Sequence, residues 1–178
     1  MRARIFRRLL RSLERHPLAL FSRIQLQLLL NVTAQAFDVT GKQIWHLPYE
    51  HALEEYAIFT ENALGLSRAD PNRLYQKAYA LGSHIRKITG FTDNGDLRRL
   101  IFFLYRNIGV HMDGRIPGEV TVSSCYFSRS YTPEQCALMS FMDSGIIAGL
   151  WGGGHLDFTG RITEGCGDCT AVFRRDDS

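Results

Sequence analysis

The sequence predicts an α+β fold in which four or five helices pack on a small, mostly antiparallel sheet. Up to Ile108, apolar side chains recur at the spacing of helices, and after Pro117-Gly118 they alternate as in a strand. With 178 residues, of which 45% are hydrophobic, the chain is large enough to bury one core. We therefore predict a single α+β domain over residues 17–178, preceded by a basic amphipathic helix over residues 1–16.

This first helix carries most of the positive charge of the chain. Residues 1–23 contain seven arginines and one acid, which gives +6, whereas the remaining residues sum to −3. Ile5, Leu9, Leu10 and Leu13 recur at helical spacing, and Pro17 interrupts the pattern. Such a helix either packs on its own domain or docks on a membrane surface or a protein partner, and both interpretations stay open.

Proline and acidic or hydroxyl residues mark the starts of the other helices. Pro48 fits a first helical turn, Asp70-Pro71 and Thr132-Pro133 each combine a cap with a proline, and Asp93 or Asp96 could cap a further helix. The predicted helices after the first span residues 18–37, 49–64, 72–89, 97–108 and 132–150.

Three strands are predicted from alternating side chains. They cover residues 119–124, the segment with Leu156, Phe158 and Ile162 on even positions, and residues 170–173. Residues 164–169 between the last two strands are predicted to form a tight hairpin turn.

Composition excludes several functional classes. Because the body of the chain is mildly acidic, a nucleic-acid partner is not predicted. The apolar run over residues 24–30 is split by Gln25 and Gln27, so a secretion signal is not predicted either, and no stretch is long enough to span a bilayer. A cytoplasmic location and reduced cysteines are therefore expected.

Asp143 is the first candidate functional residue. Cys136, Ser140 and Asp143 lie at i, i+4 and i+7 of the last helix and therefore share one face. This face borders a stripe of Met139, Met142 and other apolar residues, so the carboxyl group must be paired, hydrogen-bonded or shifted in pKa. It is either a structural ion-pair partner or a general base or substrate anchor.

The four cysteines, all in the last third of the chain, are the second candidates. Cys166-Gly-Asp-Cys169 has the spacing of a metal knuckle, and Cys125 and Cys136 could complete a zinc or iron site. Alternatively, Cys125 is a small buried apolar residue or a nucleophile that needs a nearby cation or histidine. His155, beside Gly152-Gly-Gly154, is the nearest histidine in a flexible setting. The glycine loop lacks a following lysine, and a phosphate site is not predicted.

Several of these residues together resemble the L-2-amino-thiazoline-4-carboxylic acid hydrolase-like family. The matching positions run from a cysteine after a strand, through an aspartate in the next helix, to a Phe…Arg…Gly…Cys…Phe ending. They are Cys125, Phe127, Asp143, Leu156-Asp-Phe158, Arg161-Ile-Thr163, Glu164-Gly165, Cys169 and Phe173, with fainter matches at Tyr56-Ala57, Phe59-Thr60, Tyr105-Arg106 and Gly109. The resemblance covers about the last 55 residues. These motifs are also similar to vinyl-reductase-like small-molecule-binding domains.

The resemblance implies hydrolytic opening of a small ring containing sulfur and nitrogen, at its C=N carbon, to an N-carbamoyl-cysteine type of product. It implies Cys125 and Cys169 as thiols at the catalytic site and Asp143 as the base. Arg161 would anchor the substrate carboxylate, and His155 is the other predicted substrate-binding residue. Cys136, Cys166 and the arginine-rich helix are not part of the family pattern.

The leading interpretation is therefore a hydrolase acting on a small amino-acid-derived heterocycle. The alternative is a module that binds a small molecule or a metal without catalysis, with Cys125, Cys136, Cys166 and Cys169 as metal ligands. A third interpretation is an accessory protein that docks through residues 1–16.

Overall fold

A computed structural model describes residues 2–15, 19–65 and 70–176, and only the backbone of residues 13–15 and 19. Within these residues the chain forms six helices and four strands. The helices are α1 (Arg2–Arg15), α2 (Ala19–Phe37), α3 (Tyr49–Leu64), α4 (Pro71–Thr89), α5 (Asn94–Arg106) and α6 (Pro133–Trp151). The strands are β1 (Val110–Gly114), β2 (Gly118–Cys125), β3 (His155–Gly160) and β4 (Cys169–Arg174). Short 3-10 helices follow β2 (Tyr126–Arg129) and β3 (Ile162–Glu164).

The α+β class is confirmed, and the six helices are the predicted N-terminal helix and the five predicted after it. Three of the predicted caps form, whereas α3 begins after Pro48 without a side-chain cap and α5 begins at Asn94, before the predicted residue 97. Asp70 accepts the amide N–H of Asn72, and Asp93, rather than Asp96, caps α5. Thr132 and Gln135 form a reciprocal capping box at the start of α6. The predicted break at Pro17 lies outside the described residues.

The four strands form one antiparallel sheet in the order β1-β2-β4-β3. Alternate side chains of each strand point to opposite faces. One face packs under the helices and consists mainly of apolar residues, among them Val120, Val122, Ala171 and Phe173. The other face is polar and includes the hydrogen-bonded pair Thr159 and Thr170.

Two parts of the sheet differ from the sequence prediction. Strand β1 was not predicted, because Val110-His-Met-Asp is short and has a bulge between His111 and Met112 instead of clean alternation. The predicted tight turn over residues 164–169 is instead an eight-residue connection, residues 161–168, that contains a 3-10 turn.

Helix α6 is the central element of the helical layer. It lies directly against α4, because glycines at the contact let the two backbones approach. A Cβ atom at Gly145 would lie 2.4 Å from the carbonyl oxygen of Tyr75, and one at Gly149 would lie 2.3 Å from that of Tyr79. The opposite side of α6 faces the sheet, where the hydroxyl of Ser144 accepts the amide N–H of Leu156. Both sides of α6 are thus held in place.

Among the described residues, no helix is long and apolar enough to cross a membrane. The amphipathic α1 packs on α4 and α5, with Leu10 in the core and Phe6 partly buried against it. Arg7 of α1 forms an ion pair with Asp96 of α5. The first helix is therefore fixed to the same body as the rest of the described chain.

Candidate functional site: an apolar cavity with one buried carboxyl group

One continuous cavity of about 310 Å³ lies between the helices and the inner face of the sheet. Helices α1, α2 and α4 form one end of it, through side chains such as Leu9, Ile24 and Ile88. The other end is formed by α6 and the sheet, through Asp143, Cys125 and Cys169. Nearly all of the lining is aliphatic or aromatic, as in small-molecule binding sites.

Asp143 is the acidic residue of this lining. Tyr105 of α5, itself buried, donates its hydroxyl proton to Oδ1 of Asp143 over 2.8 Å. Burial raises the pKa of Asp143 to about 6, and the Tyr105 hydrogen bond partly opposes this by lowering it. Asp143 also lines the cavity. Asp143 can therefore exchange a proton or accept a hydrogen bond from a bound molecule near neutral pH.

Aromatic hydroxyls surround this carboxyl group. Burial, followed by the charge of Asp143, raises the pKa of Tyr105 well above its ordinary value. Tyr56 is also buried, contacts the ring of Phe127 edge to face and points its hydroxyl at the Met142 sulfur, 3.6 Å away. These phenols stay protonated, so they act as hydrogen-bond donors.

Cys125, at the end of β2, is a neutral thiol. Burial raises its pKa to about 12, although the backbone amides of Phe127 and Ser128, at the start of the 3-10 helix, lower it in part. The charge of Asp143 raises it further. Since the thiolate is the nucleophilic form, this environment does not activate Cys125.

Cys136 and Cys169 also line the cavity. Burial raises the pKa of both thiols, and the nearby charge of Asp143 adds to the increase. The positive charge of Arg161 lowers both in part. Cys169 is buried and its sulfur accepts the amide N–H of Ile162 over 3.3 Å. Three of the four thiols, those of Cys125, Cys136 and Cys169, therefore line the same cavity as Asp143.

Arg161 lies beside these thiols, outside the cavity lining. Its guanidinium donates to Glu164 over 3.1 Å, lies 4.9 Å from the centre of the Phe158 ring and is 3.5 Å from the hydroxyl of Ser140. The predicted carboxylate anchor thus sits next to the cavity wall, with an acid as its present partner.

Two predicted site residues lie elsewhere. His155 is exposed on β3, between the carboxylates of Asp157 and Asp176 at 3.5 and 3.7 Å. Its neighbour Leu156 lines the cavity, so His155 points to the opposite face of the sheet. Cys166 is exposed in the β3–β4 connection.

The metal alternative gains no support from this arrangement. Within residues 2–15, 19–65 and 70–176, no three or more His, Cys, Asp or Glu side chains are grouped to hold a metal ion. Of the two cysteines with knuckle spacing, Cys166 is exposed and Cys169 is buried.

Sequence reasoning identified Asp143 but not its hydrogen-bond partner. Tyr105 shares helical spacing with the apolar Ile101 and Leu104, and a buried tyrosine hydroxyl usually requires a partner. This requirement was the signal in the sequence from which the partner of Asp143 could have been found. The cavity itself left no comparable signal, because its lining residues look like ordinary core residues.

Comparisons with protein-family models, with functionally curated proteins and with solved structures found no match to this chain. The resemblance to the hydrolase-like family therefore stays a prediction, and the functional argument rests on the cavity.

Proposed function

We propose that the protein binds a small, mostly apolar molecule in the cavity and holds a hydrogen-bond donor of that molecule at Asp143. The observation that carries this proposal is the position of a buried carboxyl group on the wall of an otherwise apolar cavity. Tyr105 donates one hydrogen bond to this carboxyl group, but a carboxylate in apolar surroundings remains costly, which favours a ligand that supplies a further donor.

The size of the cavity fits a compact ligand. Its volume of about 310 Å³ lies at the lower end of the range of roughly 300–1,000 Å³ typical of ligand sites. An apolar ligand would displace water from aliphatic walls, and this is the dominant favourable term in such binding.

The hydrogen bonds that the Asp143 carboxyl group can accept limit which polar group the ligand can carry. Tyr105 occupies Oδ1, and the described residues donate no hydrogen bond to Oδ2. Because the pKa of Asp143 is about 6, the carboxyl group is mostly ionised at neutral pH. The complementary group is a hydroxyl, an amide N–H or a protonated amine.

Binding of Nile red, a neutral apolar dye without a hydrogen-bond donor, tests the apolar part of this proposal by fluorescence titration. Ala171 of β4 lines the cavity and the adjacent Thr170 faces outward, so Ala171→Phe fills the cavity while Thr170→Phe is its matched control. We expect Ala171→Phe to weaken binding by at least about tenfold, as loss of an apolar contact surface does. Thr170→Phe should bind like the unmodified protein.

Circular dichroism would establish that both variants remain folded, and Val122→Phe offers a second way to fill the same space. Absence of dye binding by the unmodified protein would contradict the proposal. So would equal binding by folded variants with a filled cavity.

Hydrolysis of a small heterocycle is the second candidate, and the position of Asp143 is the observation that favours it. A carboxyl group with a pKa of about 6 can act as a general base near neutral pH. Asp143 would remove a proton from a water whose oxygen bonds to the C=N carbon. The ring C–S bond then breaks, with protons going to the ring nitrogen and the departing sulfur.

Activated water suits this site better than attack by cysteine, because burial keeps Cys125 and Cys169 protonated. Hydrolysis of a thiazoline carboxylate is the assay. Asp143→Asn should abolish turnover while the protein stays folded, and full activity in this variant would remove Asp143 from the mechanism.

A further inference from the structure

The end of the cavity between α1, α2 and α4 carries an exposed apolar patch, which we call the mouth patch. It consists of Ile5, Leu9, Ile24, Leu28 and Ile88, which are 59, 48, 45, 42 and 47% exposed. Four of the five, all except Ile5, also line the cavity. They are the most exposed of the lining residues, so the cavity meets the solvent at this patch.

An arginine stripe borders the mouth patch. Arg4, Arg8 and Arg11 lie at i, i+4 and i+7 of α1 and are all exposed. Ile5 and Leu9 occupy the adjoining stripe of the same helix. A basic stripe beside exposed apolar side chains is typical of helices that lie in the interface of a bilayer with anionic lipids.

The contacts of α1 fix this orientation. Leu10 is buried in the core, and the Arg7–Asp96 ion pair ties the next face of the helix to α5. The side of α1 with Arg4 and Arg8 therefore points away from the body, and Ile5 and Leu9 sit at the boundary between arginines and cavity.

We propose that the mouth patch docks on an anionic lipid bilayer, so that an apolar ligand passes directly between the bilayer and the cavity. The transfer step rests on the proposed binding function, whereas docking itself does not. Anionic headgroups complement the arginine stripe. A second copy of the chain fits less well, because a twofold contact through this patch would bring two arginine stripes together.

Co-sedimentation with vesicles tests docking. The protein should bind vesicles made of equal parts phosphatidylcholine and phosphatidylglycerol, bind phosphatidylcholine vesicles poorly, and dissociate as salt is raised. Arg4→Glu with Arg8→Glu should lower the partition onto anionic vesicles by roughly 30-fold or more. Arg115→Glu with Arg129→Glu makes the same charge change outside α1 and should lower it far less.

A second pair of variants tests the apolar contribution. Ile5→Ser should weaken vesicle binding by roughly tenfold, whereas Ile58→Ser, at an exposed isoleucine of α3, should leave it unchanged. Ile5 does not line the cavity, so Ile5→Ser should bind Nile red in solution like the unmodified protein.

The outcomes separate docking from ligand binding. Dye binding without vesicle binding would overturn docking and leave the proposed function standing. Vesicle binding without dye binding would overturn the proposed function and leave docking standing. Equal loss of vesicle binding in the α1 arginine variant and its control would overturn docking at the mouth patch. Concentration-dependent self-association that is lost in Ile5→Ser, without vesicle binding, would assign the patch to a second copy instead.

Discussion

Compared with an exposed aspartate, the carboxyl group of Asp143 is shifted toward its protonated form. Its pKa rises from an ordinary value of 3.8 to about 6 because burial removes water from the carboxylate, and the Tyr105 hydrogen bond only partly compensates. A group whose pKa is higher in the folded state stabilises the fold at low pH, and this stability is lost as the pH rises through the folded pKa. The ionised carboxyl group of Asp143 therefore lowers the free energy of unfolding near neutral pH.

Asp143→Asn should therefore stabilise the ligand-free protein. The amide keeps an oxygen for the Tyr105 hydroxyl but carries no charge, so we expect a gain of up to about 3 kcal/mol at about pH 8 that shrinks to about 0.5 kcal/mol at about pH 4. Urea unfolding at both pH values measures it. Asp113→Asn, at an exposed position on β1, is the control and should change the free energy of unfolding little. A variant less stable than the unmodified protein at the higher pH would contradict this account.

The four thiols should differ in reactivity. Cys166 is exposed, whereas burial raises the pKa of Cys125, Cys136 and Cys169. We expect iodoacetamide to modify Cys166 first at neutral pH and the other three slowly, since the thiolate is the reactive form. Mass spectrometry over time shows the order, with Cys166→Ser as the variant that removes the fast phase. Rapid modification of Cys125 in the native protein would show that its thiol is activated after all.

The α4–α6 contact is the element on which the cavity wall depends. Close approach of two helix backbones requires positions without a Cβ atom, and Gly82, Gly145 and Gly149 supply them. An added Cβ at Gly149 would also lie 2.7 Å from the amide nitrogen of Ser83. The carbonyl oxygen of Tyr79 and the amide nitrogen of Ser83 are both backbone atoms, so rotation of a side chain cannot relieve the overlap.

Gly149→Ala should consequently lower the free energy of unfolding by about 3 kcal/mol, the upper part of the usual range for overpacking. Its control is Gly167→Ala in the β3–β4 connection, where an added Cβ meets nothing within 4 Å and the change should stay within about 0.5 kcal/mol. Urea unfolding of the two variants provides the comparison, and equal midpoints would show that the helices can separate without cost.

Local signals explain which elements the sequence predicted well. Helices with a proline and a cap at the start, such as α4 and α6, were located to within a residue or two, because these residues act within one turn. Strand β1 depends instead on pairing with β2, and its bulge at His111 and Met112 hides the alternation. Spacing along α6 also placed Cys136, Ser140 and Asp143 on one face of the helix. The same spacing gives no information about His155, which lies on β3 and points to the outer face of the sheet.

At the scale of the whole molecule, the cavity depends on the arrangement of all six described helices and the sheet. Each lining residue, such as Ile24 or Val122, has the composition and spacing of a core residue. The empty space arises only from how far apart the elements lie. For this reason the sequence pointed to Asp143 and the thiols but not to the apolar volume beside them.

A ligand that fills this volume should stabilise the entire fold. Nile red at about ten times its Kd should add about 1.4 kcal/mol and raise Tm by about 3–6 °C. Thermal unfolding followed by circular dichroism measures the shift. At the same dye concentration Ala171→Phe should show less than about a third of it, because the filled cavity weakens dye binding at least about tenfold. An equal shift in both proteins would mean that the dye binds outside the cavity.

The walls of the cavity are held with unequal strength, and this has a kinetic consequence. Helix α6 is clamped between α4 and the sheet. Among its described side chains, α1 rests on α4 and α5 through few contacts and the surface ion pair from Arg7 to Asp96. Local opening draws on the least stable contacts of a fold. The rate at which a bound molecule leaves the cavity should therefore be set by local opening of α1. The wall formed by α6 and the sheet keeps its shape and determines which molecules fit.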